Sequence, residues 1–296
     1  MNKFVVLPDR AVLTVKGPDA LEFLQGLITN DMAKIADQGA LLAALLTPQG
    51  KIQHEFFIAP IDGGYVVETA KDGLADLYKK LSLYKMRANV ELEDVSSSQR
   101  VVWFETAVDQ LGGVLAQFID PRHKNMGLRV VCADVDALAS TFQEGALEDY
   151  LAQRVRHGVP EGGLDYGFGD SFPHEACYDF LDGVDFEKGC YVGQEVVSRM
   201  QHRSTTRKRI VLVEGDRDLP DPGAEIRTDT SLLGVLGTVV GCSGLALMRL
   251  DRAGKALGNG DDIKADGVTL TLSLPGWASY RLEEPLSEKP LSEEPG

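Results

Sequence analysis

Three apolar runs, residues 41–47, 52–59 and 65–69, are separated by two turn clusters, Pro48-Gln49-Gly50-Lys51 and Asp62-Gly63-Gly64. Each run is shorter than an ordinary helix, and the glycines supply the backbone angles that a tight reversal needs. The chain therefore doubles back twice, which predicts an antiparallel meander. Residues 11–16 alternate and predict a strand before it. Gly17-Pro18-Asp19 breaks that strand and opens a helix, with Pro18 in the first turn where its missing N–H is harmless. Leu21, Leu24, Leu27 and Ile28 form the expected buried face, and Thr29-Asn30-Asp31 ends the helix. A second helix starts at Lys71 or Asp72 and buries Leu74, Leu77 and Leu81. Residues 89–95, 100–105 and 127–133 predict further strands.

Residues 134–155 carry one or two helices, and Gly158 to Gly163 force a loop. From there to Asp182 the chain is rich in Gly, Pro, Asp and aromatics with little periodicity, the mark of a functional or tightly packed loop. After Arg209 the pattern changes to short strands (210–214, 224–227, 236–241, 246–250, 262–264, 268–274) divided by Gly, Asp and Pro. That spacing predicts a small β-barrel or sandwich. Residues 284–296 lie in a charged, Pro-rich tail that repeats Pro-Leu-Ser-Glu, and they are expected to be disordered. A chain of 296 residues has room for more than one core.

The net charge of −15 excludes sequence-independent wrapping of nucleic acid, which needs a basic surface to release counterions. The start shows no apolar signal segment, and no apolar run approaches the length of a membrane span, so no membrane partner is expected. Cys132, Cys177, Cys190 and Cys242 are scattered without a C-x-x-C pair. That predicts neither a zinc site nor a disulfide framework, no permanently bound metal, and a reducing, cytoplasmic location.

Against this acidic background one stretch reverses sign. Residues 185–209 (DFEKGCYVGQEVVSRMQHRSTTRKR) begin with two glycines around a cysteine and an aromatic. They end with Arg199, Arg203, Arg207, Lys208 and Arg209, and no acid follows Glu195. Lys188 and a helix beginning at Gln194-Glu195 are both expected to favour the Cys190 thiolate, making it a redox group or a transient cluster ligand. The bland alternative is a small residue in a Gly-rich turn. Arg199 and Arg203 share a face if the segment is helical, and the basic run suits a folate glutamate tail, an RNA phosphate or an acidic partner.

Lys188-Gly189-Cys190-Tyr191-Val192-Gly193-Gln194-Glu195, followed by Arg199, resembles the signature of YgfZ-type folate-binding proteins and of the related mitochondrial iron–sulfur maturation factor. Residues 17–31, 47–51, 154–162 and 173–175 support the resemblance. It implies an α+β, aminomethyltransferase-like folate-binding fold: two interleaved α/β subdomains within residues 1–208 around a central cavity, then a C-terminal β-barrel over 209–283. It also implies a tetrahydrofolate ligand, an accessory role in iron–sulfur protein assembly or repair with client or assembly proteins as partners, and support for tRNA modification. The residues assigned to folate or a partner are Lys188, Gly189, Tyr191, Gly193, Gln194, Glu195, Arg199, Arg203 and Glu175, with Cys190 as the chemical group. An alternative is a tetrahydrofolate-dependent aminomethyltransferase. The family of those enzymes carries a catalytic Asp where this chain has His54 or Glu55, and a pterin-holding Glu where it has Arg156. Both departures favour a non-enzymatic role. Cys177 stands where relatives often have Asn.

Overall fold

The computed structural model describes residues 2–203 and 206–282. The expected tail, 284–296, lies outside them. The meander forms as the turn chemistry dictates: Leu41–Leu46, Ile52–Ile61 and Gly64–Ala70 pair antiparallel in succession. Arg10–Lys16 joins the far side of Gly64–Ala70, and Glu91–Asp94 closes the edge of this five-stranded sheet.

A second five-stranded sheet runs Gln143–Glu144, Lys3–Val6, Arg100–Phe104, Leu128–Cys132 and Val114–Ile119. Lys3–Val6 and Arg10–Lys16 are near neighbours in the chain yet belong to different sheets, so the two sheets are interleaved in sequence. Lys3–Val6, Val114–Ile119 and Gln143–Glu144 were not legible as strands. The last is two residues long, too short for any alternation to register.

The third unit is a closed six-stranded barrel whose strands begin at Lys208 and end at Ser273. It carries a helix, Leu250–Asn259, that residue periodicity did not reveal. The buried face of that helix is Leu250, Ala253, Gly254 and Ala256. The helix stops at Gly260 in the left-handed conformation, φ 73°.

The first helix, Ala20–Gln25, is shorter than expected. Phe23 and Leu24 are buried, whereas Leu21 faces solvent at 47% exposure. Leu27 and Ile28 are buried after the helix has ended, and Ile28 makes an isolated bridge to Leu45. Leu74–Lys85 buries Leu74, Leu77 and Leu81 as expected. Between the sheets and the barrel one apolar cluster joins Leu42, Phe57, Trp103, Tyr178, Tyr191, Ile210 and Leu245, so the irregular segment after Gly158 fills the middle of the molecule.

Candidate functional site

The loop around Cys190 is held from three sides. Below it, the Lys188 ammonium donates to the carbonyls of Gln25, Ile28 and Asn30 at 2.7–2.8 Å. Three donors meet three acceptors, so this cation is satisfied inside the protein although burial pulls it down to about 8. It also lies 5.3 Å over the Tyr191 ring, which is itself buried. The charge pairing expected between Lys188 and Cys190 is therefore not formed. The acceptors come from the turn after the first helix, where Thr29 donates to the carbonyl of Gly183, and Asn30 to those of Leu42 and Asp182.

On the second side the loop meets the first hairpin. Gly193 has φ 82°, and a Cβ there would lie 2.5 Å from the Thr47 carbonyl and 3.0 Å from Gly50 Cα. Gly50 has φ 80°, and its Cβ would lie 2.8 Å from the Val196 Cβ. Both glycines are required by backbone angle and by contact, one from each motif. On the third side the helix Gln194–Arg203 begins, and the Gln194 amide reaches the Lys188 carbonyl at 3.4 Å. Gly189 has open space around it, and Cys190 is exposed with a free thiol. The loop is anchored at Lys188 and Gly193, and Cys190 between them is exposed.

The basic run is divided by the structure. Arg199 is exposed and pairs with Glu195 one turn earlier at 2.6 Å. Arg203 and Arg207 are exposed. Arg209 is not part of the patch: it is buried between Phe180 and Tyr280 and holds Asp179 through both carboxylate oxygens, at 2.6 and 2.8 Å. Glu175 caps its own turn, accepting from the Phe172 amide at 3.0 Å. Cys177 is fully buried at φ 62°, a conformation Asn adopts more readily than most residues.

Of the two candidates for the transferase aspartate, His54 is buried, lines the cavity of about 660 Å³, and its Nε2 lies 2.9 Å from Asp76. Glu55 faces inward and is 1% exposed. It accepts from the Gly162 amide at 3.2 Å, the Tyr178 hydroxyl at 2.9 Å and the Tyr166 hydroxyl. Burial and the Glu55 charge raise both tyrosines well above their ordinary range. The carboxylate is enclosed by its own protein.

Sequence reasoning missed the largest polar feature, a buried network of Arg10, Arg122, Arg129 and Arg154 with Glu68, Asp120, Glu161 and Asp165. Arg129 bridges Glu68 and Asp120, and its guanidinium lies 4.1 Å from the Phe57 centroid. Tyr150 joins Arg122, Arg129 and Glu161. Burial alone would raise Asp120, but Arg122 and Arg129 outweigh it and hold this carboxylate at about 2. Four cations balance four anions, some of them near in sequence, as Asp120 and Arg122 are, and others joined only by the fold, as Arg10 is to Glu68 and Glu161. Arg156, expected at a pterin, is exposed, and Arg154 of the same helix turns inward instead.

Tetrahydrofolate does not fit the residues assigned to it. Lys188 is satisfied internally, Glu175 holds the Phe172 amide, Tyr191 is buried, and none of the assigned residues lines the cavities of about 660 and 630 Å³. The buried carboxylates Glu55 and Glu161 already have donors from this protein, whereas Glu68 Oε2 is buried without a hydrogen-bond partner. Among the described residues no group of three or more His, Cys, Asp or Glu is placed to hold a metal ion.

Residues 207–280 match the family model for the CAF17 C-terminal beta-barrel domain. The fold matches glycine cleavage system aminomethyltransferase T from Bartonella henselae with a TM-score of 0.73, over 93% of this chain and 86% of that one, at 14% identity. The aminomethyltransferase-like α+β architecture is thereby established. A Coccidioides immitis protein named iron-sulfur cluster assembly factor IBA57 homolog, mitochondrial, is 32% identical over 240 residues, 71% of this chain and 56% of that one. The chain thus spans about half the length of this fungal relative. The Mus musculus IBA57 factor is 33% identical, covering 82% of this chain and 76% of its own, and the Homo sapiens factor is 32% identical, covering 92% and 84%. These relatives are named as mitochondrial, which overturns the cytoplasmic expectation. Scattered thiols speak only against an oxidising compartment and do not distinguish one reducing compartment from another. With a third of its residues identical over most of both chains, the protein belongs to the family of IBA57 iron–sulfur cluster assembly factors.

Proposed function

We propose that the chain is a non-enzymatic accessory factor in the assembly or repair of iron–sulfur proteins, with the exposed Cys190 thiol as its working group. The observation that carries this is the frame around Cys190. Lys188 anchors the loop from below, Gly193 locks it to the first hairpin, and the thiol is left exposed at the apex. A cluster takes about four protein ligands, most often thiolates. One thiol on this loop supplies one, so the cluster is cargo and its other ligands come from a partner protein that meets the loop. Gly189, with open space beside it, lets that partner approach closely. Arg203 and Arg207 offer the partner positive charge.

The competing reading, a tetrahydrofolate-dependent transferase, requires a carboxylate at the substrate. Glu55 is enclosed by two tyrosines and an amide, so we do not assign turnover to it. A role for RNA rests on fewer cations than the sequence offers, because Arg209 is buried and Arg199 is paired.

The test is complementation. A Cys190→Ala variant, expressed at normal level in a strain lacking this protein, leaves cluster-dependent enzymes inactive, whereas the wild type restores them. Full restoration by the variant overturns the proposal.

A further inference from the structure

The two cavities flank the segment 162–171, and Gly163 and Leu164 line both. The one of about 630 Å³ opens between that segment and the barrel and contains none of the Cys190 loop. Its volume suits a small ligand. Its walls are apolar where a soluble surface ought to be polar: Leu164, Leu232 and Val235 are exposed at 52, 38 and 41%. Its charged rim is made by Lys208, Arg249 and Arg252.

Two of those cations stand in an unfavourable relation. Lys208 and Arg249 are directly opposite in the antiparallel register of neighbouring barrel strands. Like charges so placed repel and destabilise the pair. Arg249 is relieved by Asp251 at 2.6 Å, but Lys208 has no ion pair among the described residues. The acids that line the cleft do not relieve it. Asp165 is buried against Arg154 and the amides of Glu161 and Thr238. Asp170 pairs with Lys51 at 3.2 Å. Apolar walls beside Lys208, a cation with no ion pair among the described residues, favour an occupant with an apolar stem and a negative head.

We infer that this cleft binds a single-chain amphipathic anion, an apolar stem ending in a carboxylate, with the head at Lys208 and Arg249 and the stem along Leu232 and Val235. The head relieves the cross-strand repulsion, and the stem covers apolar side chains that otherwise face water. Arg252, whose Nη1 donates to the Leu232 carbonyl at 2.9 Å, closes the rim.

The test uses the full chain with decanoate and decanol as paired probes, read by displacement of 8-anilinonaphthalene-1-sulfonate. Decanoate displaces the dye saturably and about tenfold more tightly than decanol, because the anionic head adds a charge-assisted contact. Lys208→Glu weakens decanoate about tenfold and leaves decanol unchanged. Lys255→Glu, on the same barrel but outside the cleft lining, changes neither. Melting curves of both variants match the wild type. Equal displacement by decanol and decanoate overturns the inference, as does a Lys208→Glu protein that folds and binds decanoate normally. An equal loss in Lys255→Glu also overturns it, since it would reveal only the general charge of the surface.

Discussion

Arg129 and Cys190 occupy opposite extremes of the same chain. Arg129 is completely buried, bound to Glu68, Asp120 and Tyr150, and stacked on Phe57. Cys190 is exposed, with a free thiol, on a loop anchored at Lys188 and Gly193. In the first region each charged side chain is paired with an opposite charge of the same protein, although Glu68 Oε2 and Arg154 Nε lack hydrogen-bond partners. In the second, the polar groups beneath the apex are satisfied internally and the apex alone is offered outward. Charge density is therefore a poor guide to function here. A single reactive atom on a fixed frame is the better one.

The comparison breaks most sharply at the network. Arg129→Leu leaves Glu68 and Asp120 buried without their shared cation, and unfolding by denaturant should show a loss of about 3–5 kcal/mol, enough to unfold much of the protein. A loss near zero would mean that the network is dispensable. The frame comes next. Gly193→Ala places a Cβ against the Thr47 carbonyl at positive φ and should lower stability by about 1–3 kcal/mol while also weakening complementation, because the loop shifts. Acid provides the third test. Asp120 is held at about 2, below its unfolded value, so its contribution is present above about pH 4 and is lost as pH falls toward 2, on the order of 2 kcal/mol. Denaturation midpoints measured from pH 5 to pH 2 should fall accordingly, and Cys190→Ser should follow the same curve. The smallest structural effect belongs to Cys190 itself. Cys190→Ser should change stability by less than about 0.5 kcal/mol yet abolish complementation, which separates function from folding in one residue. Titration with tetrahydrofolate should give no saturable heat, in wild type and in Arg156→Glu alike.

Much of this was legible because local chemistry enforced it. The meander was written in Pro48 to Lys51 and Asp62 to Gly64, and the buried stripe of the second helix in Leu74, Leu77 and Leu81. The barrel showed itself through short strands and turn residues, although its helix at Leu250–Asn259 did not. The loop of Cys190 was visible as a dense run of unusual residues. The role of each member was not. Lys188 read as a partner for the thiol and proved to be an anchor for three carbonyls more than 150 residues away in sequence. Arg209 read as part of a docking surface and proved to be a buried clamp on Asp179.

The sequence by itself determined the turns, the alternation of the strands, the location of the one cysteine set among glycines, and the resemblance that set the family. These depend on backbone angles and periodicity within a few residues, which local composition controls. Only the tertiary structure decided which charges face inward. Arg10 and Arg129 lie on strands of the two interleaved sheets, Arg154 on a helix and Arg122 in the turn before the strand of Arg129, and burying them together requires partners such as Glu68 and Glu161 brought from elsewhere in the chain. The same long-range packing satisfied Lys188 and enclosed Glu55, and it left the Cys190 thiol in the open.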